Sequence, residues 1–285
     1  EADVTVTRMS DEEFFIVAAE AFPRRVEKMT PSCIPEGGRA YVTDVTSSYT
    51  LLSVQGPKSR DLLSRITLVD LSNESFPYFT GQEIDMHFAR GWALRMSFVG
   101  ELGWELYIPT EFALTVYDRL IEVGAEFDLA HAGIETLESA RTEAGRRDYG
   151  LDMENSDTAL EAGLGFAVDF DKPGGFVGRA ALLQQWENRP LKSRLVQFLL
   201  DDPEPILYGE EPILWNGETV GYLRSGAYGH TLGAAMGMGY VEDENGVTAE
   251  MIREGGFEIL VAGERFAATA SLRPMYDPKG ARVRM

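Results

Sequence analysis

Two carboxylates, Glu101 and Glu105, lie four residues apart in the run SFVGELGWELYIP, which spans residues 97–109. Two glycines in this run suit a turn, and the apolar residues on either side suit half-buried strands. Glu105 falls inside the second strand, where successive side chains point to opposite faces of a sheet. The Glu105 side chain therefore points away from the face that Trp104 and Leu106 occupy.

The environment of that face decides what the Glu105 carboxylate can do. If the face belongs to a core or a pocket, the carboxylate needs a partner, because burying an unpaired charge is costly. A carboxylate can hold a planar ligand with two adjacent donors, such as a pterin, by paired hydrogen bonds. The alternative is a glutamate that faces solvent on a sheet with one buried side.

The same run contains GELGWELYIP, and five more short motifs follow it in the chain. They are RTEAG, LEAGLGF, GFVGR, SGAYGHTLG and YDPKG, which begin at residues 141, 160, 175, 225 and 276. As an ordered set that spans nearly the whole chain, these motifs resemble the aminomethyltransferase (glycine-cleavage T-protein) family. The residues of these motifs are most similar to those of the branch that is fused to flavin dehydrogenases, which demethylate dimethylglycine and sarcosine.

The resemblance implies an α+β fold, in which a folate-binding domain of mixed or antiparallel sheets and helices precedes a small C-terminal β-barrel. Short strand-like runs separated by Gly, Pro, Asn and Asp follow residue 190 and independently suggest a small barrel or sandwich. We therefore expect a folate-binding domain over residues 1–190 and a barrel domain over 191–285. Because the resemblance aligns residue 1 with the middle of the first domain, we expect that the first part of the polypeptide is absent.

Periodicity and turn residues predict the individual elements. The predicted strands of the first domain cover residues 3–7, 14–18, 41–45, 50–54, 84–88 and 92–98. The predicted helices cover residues 20–29, 57–66, 110–124, with Thr110 as N-cap, and 133–144. The predicted barrel strands cover residues 194–200, 212–214, 219–223, 236–241, 257–261 and 265–272.

Composition excludes several classes of partner. A formal net charge of -20 argues against nucleic acids and anionic membrane surfaces, whose phosphates would be repelled. The single cysteine excludes an internal disulfide, and the 3 histidines are too far apart to suggest a metal site. With no apolar run of about 18 residues and no signal-peptide pattern, we expect a cytoplasmic protein without a membrane span.

The resemblance also implies a chemistry, namely the tetrahydrofolate-dependent capture of an aminomethyl or iminium carbon to form 5,10-methylenetetrahydrofolate. The folate supplies the hard chemistry, so the protein must position it and manage charge. Asp3 aligns with the aspartate of a family strand and is the expected catalytic residue. Its carboxylate would orient the attacking amine, stabilise the cationic one-carbon species or take up a proton. The alternative is an exposed aspartate near a chain end.

Three residues of the first domain are expected to bind the folate. Glu105 matches the pterin-holding glutamate of the family, and Tyr78 resembles a ring-contacting tyrosine of the dehydrogenase branch. A buried structural tyrosine is the alternative for Tyr78. Phe98 falls where relatives commonly have a tyrosine, so one hydroxyl is lost while the packing surface remains.

Two further binding residues are predicted from later motifs. Arg141 shares the apolar face of a helix, where it either holds a ligand or forms a structural ion pair with a glutamate such as Glu138. The SGAYGHTLG motif resembles a loop of the second domain that caps the folate channel in the family. On this loop, Tyr228 and His230 would approach the ligand. The alternative is a glycine-rich hairpin whose residues are turn formers.

Several functions are compatible with these residues. The first is the folate-binding, one-carbon-transfer portion of a dimethylglycine- or sarcosine-type dehydrogenase, acting on a small methylamine, with FAD expected only in an upstream domain. The second is a glycine-cleavage aminomethyltransferase, which would take its carbon from a lipoyl carrier protein. A demethylase acting on a sulfonium methyl group is a third option. The rivals from another class are a non-catalytic folate-binding or regulatory module and an interaction scaffold that has lost the site.

Overall fold

The computed structural model describes residues 2–19 and 23–285, which pack as two compact units. The first unit, here the sheet unit, contains the described residues up to His131 together with residues 280–285. The second, here the barrel unit, contains residues 132–279. Each unit has its own hydrophobic core.

The sheet unit combines a hairpin, a four-stranded sheet and three helices. The hairpin consists of β1 (Val4–Arg8) and β2 (Phe14–Ala18). The antiparallel sheet contains β3 (Tyr49–Gln55), β4 (Gly81–Met86), β5 (Ala89–Leu94) and β6 (Gly103–Pro109). Their spatial order is β3-β6-β5-β4. The helices are α1 (Pro23–Ser32), α2 (Ser59–Leu63) and α3 (Ala113–Gly124).

Strand β6 separates the core of the sheet unit from the opposite face of its sheet. Trp104, Leu106 and Ile108 are 0% exposed and belong to the core cluster, to which α2 and α3 also contribute. Because side chains alternate along a strand, Glu105 and Tyr107 lie on the other face. The apolar core on one side therefore fixes the register that presents Glu105 on the other.

The β1–β2 hairpin packs against this second face of the sheet. The Phe15 ring of β2 makes edge contacts with the rings of Tyr107 and Tyr49, at centroid distances of 5.1 and 5.7 Å. Thr7, which pairs with Phe15, lies on the same half-buried side of the hairpin. The hairpin thus covers part of the face that carries Glu105.

The barrel unit is built around a closed six-stranded barrel. Its strands are β7 (Ser193–Leu200), β8 (Pro212–Trp215), β9 (Glu218–Gly229), β10 (Ala234–Glu242), β11 (Phe257–Val261) and β12 (Glu264–Ser271). Around the barrel they follow the order β10-β7-β12-β11-β8-β9. The helices of this unit are α4 (Ile134–Glu143), α5 (Arg179–Glu187) and α6 (Ala249–Glu254). Inward-pointing residues such as Phe198, Ile213 and Ile259 fill the barrel.

The α+β fold with a C-terminal barrel is confirmed, and each of the six predicted barrel strands overlaps an observed one. The compact units divide after His131. This division does not test the predicted domain boundary near residue 190, which stays a prediction. The predicted helix over residues 20–29 is observed as α1, although residues 20–22 lie outside the described part of the chain.

Two local predictions are wrong. Residues 41–45 form no strand, because they are exposed and the Asp44 carboxylate turns the chain by accepting the backbone N–H of Thr46 at 2.9 Å. Thr110 does not cap α3, because its hydroxyl donates to the Ser47 carbonyl and a 3₁₀ turn precedes the helix. The Asp44 turn is local, whereas the Thr110 hydroxyl bonds to a carbonyl 63 residues away in the chain, which local propensity does not capture.

Candidate functional site

Glu105 is half-buried in the middle of β6, and its carboxylate has one clear protein partner. The Tyr107 hydroxyl donates to Glu105 Oε2 at 2.7 Å. The two residues are two positions apart on one strand, so their side chains stand next to each other on the same face. Tyr107 is only 4% exposed, and its ring contact with Phe15 keeps the hydroxyl in place.

Electrostatics keep this pair in complementary states. Burial raises the pKa of the Glu105 carboxyl, while the hydrogen bond from Tyr107 acts in the opposite direction. Burial and the neighbouring carboxylate both raise the pKa of Tyr107 well above its ordinary value. The tyrosine consequently stays protonated at neutral pH and remains a hydrogen-bond donor to Glu105.

The strand register shows which side chains surround the Glu105 carboxylate. Ser53 of β3 and Leu94 of β5 lie directly opposite Glu105, and Trp92 of β5 lies opposite Tyr107. We call the surface formed by these five residues the Glu105 face. One carboxylate among aromatic, apolar and hydroxyl groups suits a flat heteroaromatic ligand that presents donors at its edge.

Asp3 lies immediately before β1. Continuing the strand's alternation by one residue places Asp3 on the side of the hairpin that carries Thr5 and Thr7, which is the side facing the sheet. Although the Asp3 side chain is solvent-accessible, neighbouring atoms partly desolvate its carboxyl group and raise its pKa. A raised pKa suits a carboxyl group to proton transfer, so Asp3 stays a predicted catalytic residue.

Tyr78 and Phe98, the other two predicted binding residues of the sheet unit, are both half-buried. The Tyr78 ring lies 4.4 Å from the Phe79 ring. Phe98 lies in the irregular segment 95–102, which leads directly into β6. Both residues therefore share a unit with Glu105, and their ligand contacts stay predictions.

Sequence reasoning missed an arginine cluster on the core side of β6. Arg95 is 1% exposed and donates to the carbonyls of Phe76, at 2.7 Å, and Met285, at 3.0 Å. The guanidiniums of Arg95 and Arg60 lie 5.5 and 5.8 Å from the centroid of the Trp104 ring. Through cation–π interactions and hydrogen bonds, these contacts stabilise β6 on the face of the sheet opposite Glu105.

Arg141 of the barrel unit is fully buried and forms internal ion pairs. Its Nε donates to Glu138 at 2.8 Å, and its Nη1 donates to Asp152, which is itself 0% exposed. The other Asp152 oxygen accepts the hydroxyl of Ser225 on β9. The structure thus favours the structural ion pair over a ligand contact for Arg141.

Tyr228 lies near the end of β9 and is half-buried. Its hydroxyl donates to the Gly233 carbonyl at 3.0 Å, and its ring lies 5.2 Å from that of His230. The turn is held from α4 by the Glu143 carboxylate, which accepts two consecutive backbone N–H groups at residues 231–232. Residues 225–229 therefore form the end of β9, and residues 230–233 form the turn into β10. Ligand contacts by Tyr228 and His230 stay predictions.

Within residues 2–19 and 23–285, no group of three or more His, Cys, Asp or Glu side chains is arranged to hold a metal ion. In the same part of the chain, no helix is both long and apolar enough to cross a membrane.

Comparison with known proteins identifies the class to which this fold and site belong. Residues 1–172 match the GCVT N-terminal domain, and residues 193–277 match the glycine cleavage T-protein C-terminal barrel domain. Because the first match alone covers more than half of the chain, the chain belongs to the glycine cleavage T-protein family. The predicted resemblance is thereby confirmed.

Curated relatives match most or all of the chain. The chain is 39% identical, over 100% of its length, to 4-methylaminobutanoate oxidase (formaldehyde-forming) from Paenarthrobacter nicotinovorans. It is 36% identical, over 85% of its length, to mitochondrial sarcosine dehydrogenase from Homo sapiens. These matches cover only 34% and 26% of the two relatives, so the chain spans about a third or less of their length.

A solved structure supports the fold. The crystal structure of glycine cleavage system aminomethyltransferase T from Bartonella henselae superimposes with a TM-score of 0.78. The match covers 97% of this chain and 72% of that chain, at 21% sequence identity. At this identity the likeness establishes the architecture alone.

Proposed function

We propose that this chain binds tetrahydrofolate and catalyses one-carbon transfer to form 5,10-methylenetetrahydrofolate, as the folate portion of a demethylating amine dehydrogenase of sarcosine or dimethylglycine type. Family membership supports the general class, and the oxidase and dehydrogenase relatives support the demethylating context. The observation that carries the proposal is the Glu105 carboxylate, half-buried on the Glu105 face and oriented by Tyr107.

The residues on this face fit a folate. A pterin ring has a flat aromatic surface and adjacent N–H donors at its edge, which match an ionised carboxylate placed beside aromatic side chains. Tetrahydrofolate would supply the nucleophilic nitrogens that accept the carbon. In the proposal, Glu105 holds the pterin edge, while the half-buried Trp92 provides apolar contact area.

Asp3 is proposed to manage charge and protons at the nitrogen that accepts the carbon. Its raised pKa arises from partial desolvation, so its carboxyl group takes up a proton more readily than an ordinary surface aspartate. Ionised, the same group would stabilise a cationic one-carbon species. FAD is proposed to reside in a flavin domain outside this chain, which supplies the carbon from a small methylamine, and the cytoplasmic location stays a prediction.

A binding titration tests the folate site. Tetrahydrofolate is titrated into the wild-type chain and followed by tryptophan fluorescence, because Trp92 lies on the Glu105 face. We expect saturable binding, and we expect Glu105→Ala to weaken it by more than about tenfold, equivalent to about 1.4 kcal/mol. Glu111→Ala, which removes an exposed carboxylate just after β6, is the control and should leave the affinity unchanged. Absence of wild-type binding would contradict the proposal.

A transfer assay separates catalysis from mere binding. The full-length polypeptide is supplied with sarcosine or dimethylglycine, tetrahydrofolate and an electron acceptor that reoxidises the flavin, and formation of 5,10-methylenetetrahydrofolate is measured. Asp3→Asn should keep folate affinity but lose most of the transfer. Equal transfer by wild type and Asp3→Asn would contradict the role of Asp3. Folate binding without transfer from either donor would favour the regulatory module or the lipoyl-dependent aminomethyltransferase over the dehydrogenase.

A further inference from the structure

We propose that Tyr107 is a positioning residue for Glu105, which anchors one carboxylate oxygen so that the ionised group presents a fixed orientation to its ligand. This inference rests on the proposed folate site, because it concerns how that site is organised. It assigns a role to a residue two positions beyond the predicted ligand-binding glutamate.

The Tyr107 hydroxyl is a well-fixed anchor. Its ring is almost fully buried, belongs to a central strand of the sheet and contacts the Phe15 ring edge-on at 5.1 Å. A glutamate has three rotatable side-chain bonds, and an unanchored carboxylate would lose that freedom only when the ligand binds. A hydrogen bond of 2.7 Å to Oε2 orders the carboxylate beforehand, which lowers the entropic penalty of binding.

The anchor leaves the carboxylate able to bind a ligand with two donors. Each carboxylate oxygen has two acceptor positions, and Tyr107 occupies only one of them on Oε2. Acceptor capacity therefore remains on both oxygens for paired hydrogen bonds. The phenol also selects the ionised carboxylate, because the carboxylate accepts a stronger hydrogen bond than the neutral acid does.

Other charged or titratable groups share the same side of the sheet and the hairpin. By strand alternation, those on the elements packed here are Tyr49 on β3, Glu83 and Asp85 on β4, Arg90 on β5, and Asp3 and Glu13 on the hairpin. Glu83 and Arg90 pair with each other at 2.9 Å near the edge of the sheet. For Glu105 itself, burial and the Tyr107 hydrogen bond are the two influences on its pKa.

The sign of the expected effect follows from these two influences. Burial raises the Glu105 pKa, and the tyrosine hydrogen bond partly offsets this rise. Tyr107→Phe keeps the ring and its contact with Phe15 but removes the hydroxyl, so the Glu105 pKa should rise further. The ligand needs the ionised carboxylate. As the pH is lowered, folate binding should therefore be lost at a higher pH in the variant than in the wild type. At neutral pH, the lost anchor should weaken binding roughly three- to tenfold.

The test follows both the carboxyl group and the ligand. Side-chain ¹³C NMR of labelled glutamate gives the titration midpoint of Glu105 in the ligand-free chain, with Glu105→Gln used to assign the signal. Calorimetric titration with 5-formyltetrahydrofolate from about pH 4.5 to about pH 8 gives the acid limit of binding. The control is Tyr49→Phe, which removes a tyrosine hydroxyl from the same side of the sheet at a position that pairs with Pro109 rather than with Glu105.

The proposal predicts that Tyr107→Phe moves the Glu105 midpoint and the acid limit of binding to higher pH together, whereas Tyr49→Phe moves neither. A merely structural role would lower thermal stability without shifting either pH value. Identical Glu105 midpoints in the wild type and Tyr107→Phe would overturn the proposal. If the midpoint shifts but the wild type does not bind 5-formyltetrahydrofolate, the proposed function fails while the hydrogen-bond role of Tyr107 stands.

Discussion

The buried network around Asp152 should be among the most sensitive polar sites of the barrel unit. Asp152 is fully buried, and its oxygens accept hydrogen bonds from Arg141, from the Ser225 hydroxyl and, at 2.8 Å, from the backbone N–H of Asp148. Asp152→Ala leaves the buried Arg141 guanidinium with the Glu138 carboxylate and the Arg146 carbonyl as partners, but without its fully buried counter-charge. Removing one partner of a buried ion pair typically destabilises a protein by about 3–5 kcal/mol, and we expect a loss in this range.

Urea denaturation measures this loss, with the barrel transition followed separately from the sheet transition, because two compact units need not unfold together. Glu244→Ala, which removes the partner of an exposed ion pair with Lys192, is the control and should leave the midpoint unchanged. The double variant Arg141→Met with Asp152→Leu should recover part of the loss, because the fully buried guanidinium is then removed together with its buried partner, while the Glu138 side chain is 29% exposed and can be solvated. A loss below about 1 kcal/mol for Asp152→Ala would refute the reasoning.

Three further outcomes follow from the sheet unit. Glu105→Gln should be more thermally stable than the wild type at neutral pH, because burial raises the Glu105 pKa and ionisation therefore opposes folding above the unfolded-state value of about 4.3. This advantage should vanish below that pH, and equal stability at neutral pH would contradict it. Gly91→Ala should destabilise the sheet unit by about 1–3 kcal/mol, measured by urea denaturation, because a Cβ at this position would clash with the Tyr107 carbonyl oxygen. Its control is Gly133→Ala, because a Cβ at residue 133 would meet no other atom within 4 Å. Leu106→Ala should lower the free energy of unfolding by about 2–5 kcal/mol, because it leaves a cavity in the core. Leu51→Ala, at an exposed position, is its control, and similar losses for both variants would argue against the assigned core face.

The barrel was well predicted because its signals are local. Strands such as Phe257–Val261 are short apolar runs bounded by glycine and other turn residues, and the observed bounds agree with the predicted ones. The wrong strand over residues 41–45 had the same local composition. Composition alone does not show that Tyr41 remains 93% exposed in a segment that pairs with no neighbouring strand.

The candidate site was only partly predictable for a similar reason. Strand alternation correctly placed Glu105 opposite the core, and the same rule at the next step would have found Tyr107. The choice for Arg141 depended on Asp152 and on Ser225, which is 73 residues further along the chain than Asp152. The contact between Arg95 and the Met285 carbonyl spans 190 residues, which no local pattern reveals.

Mapping the ligand directly on the chain tests the central claim most sharply. Amide resonances of the ¹⁵N-labelled protein are assigned and followed during titration with tetrahydrofolate. The proposal predicts saturable shifts along β6 and on neighbouring residues of β5 and the β1–β2 hairpin, and these shifts should weaken in Glu105→Gln. Shifts that leave β6 untouched, or no shifts at all, would contradict a folate site on the Glu105 face.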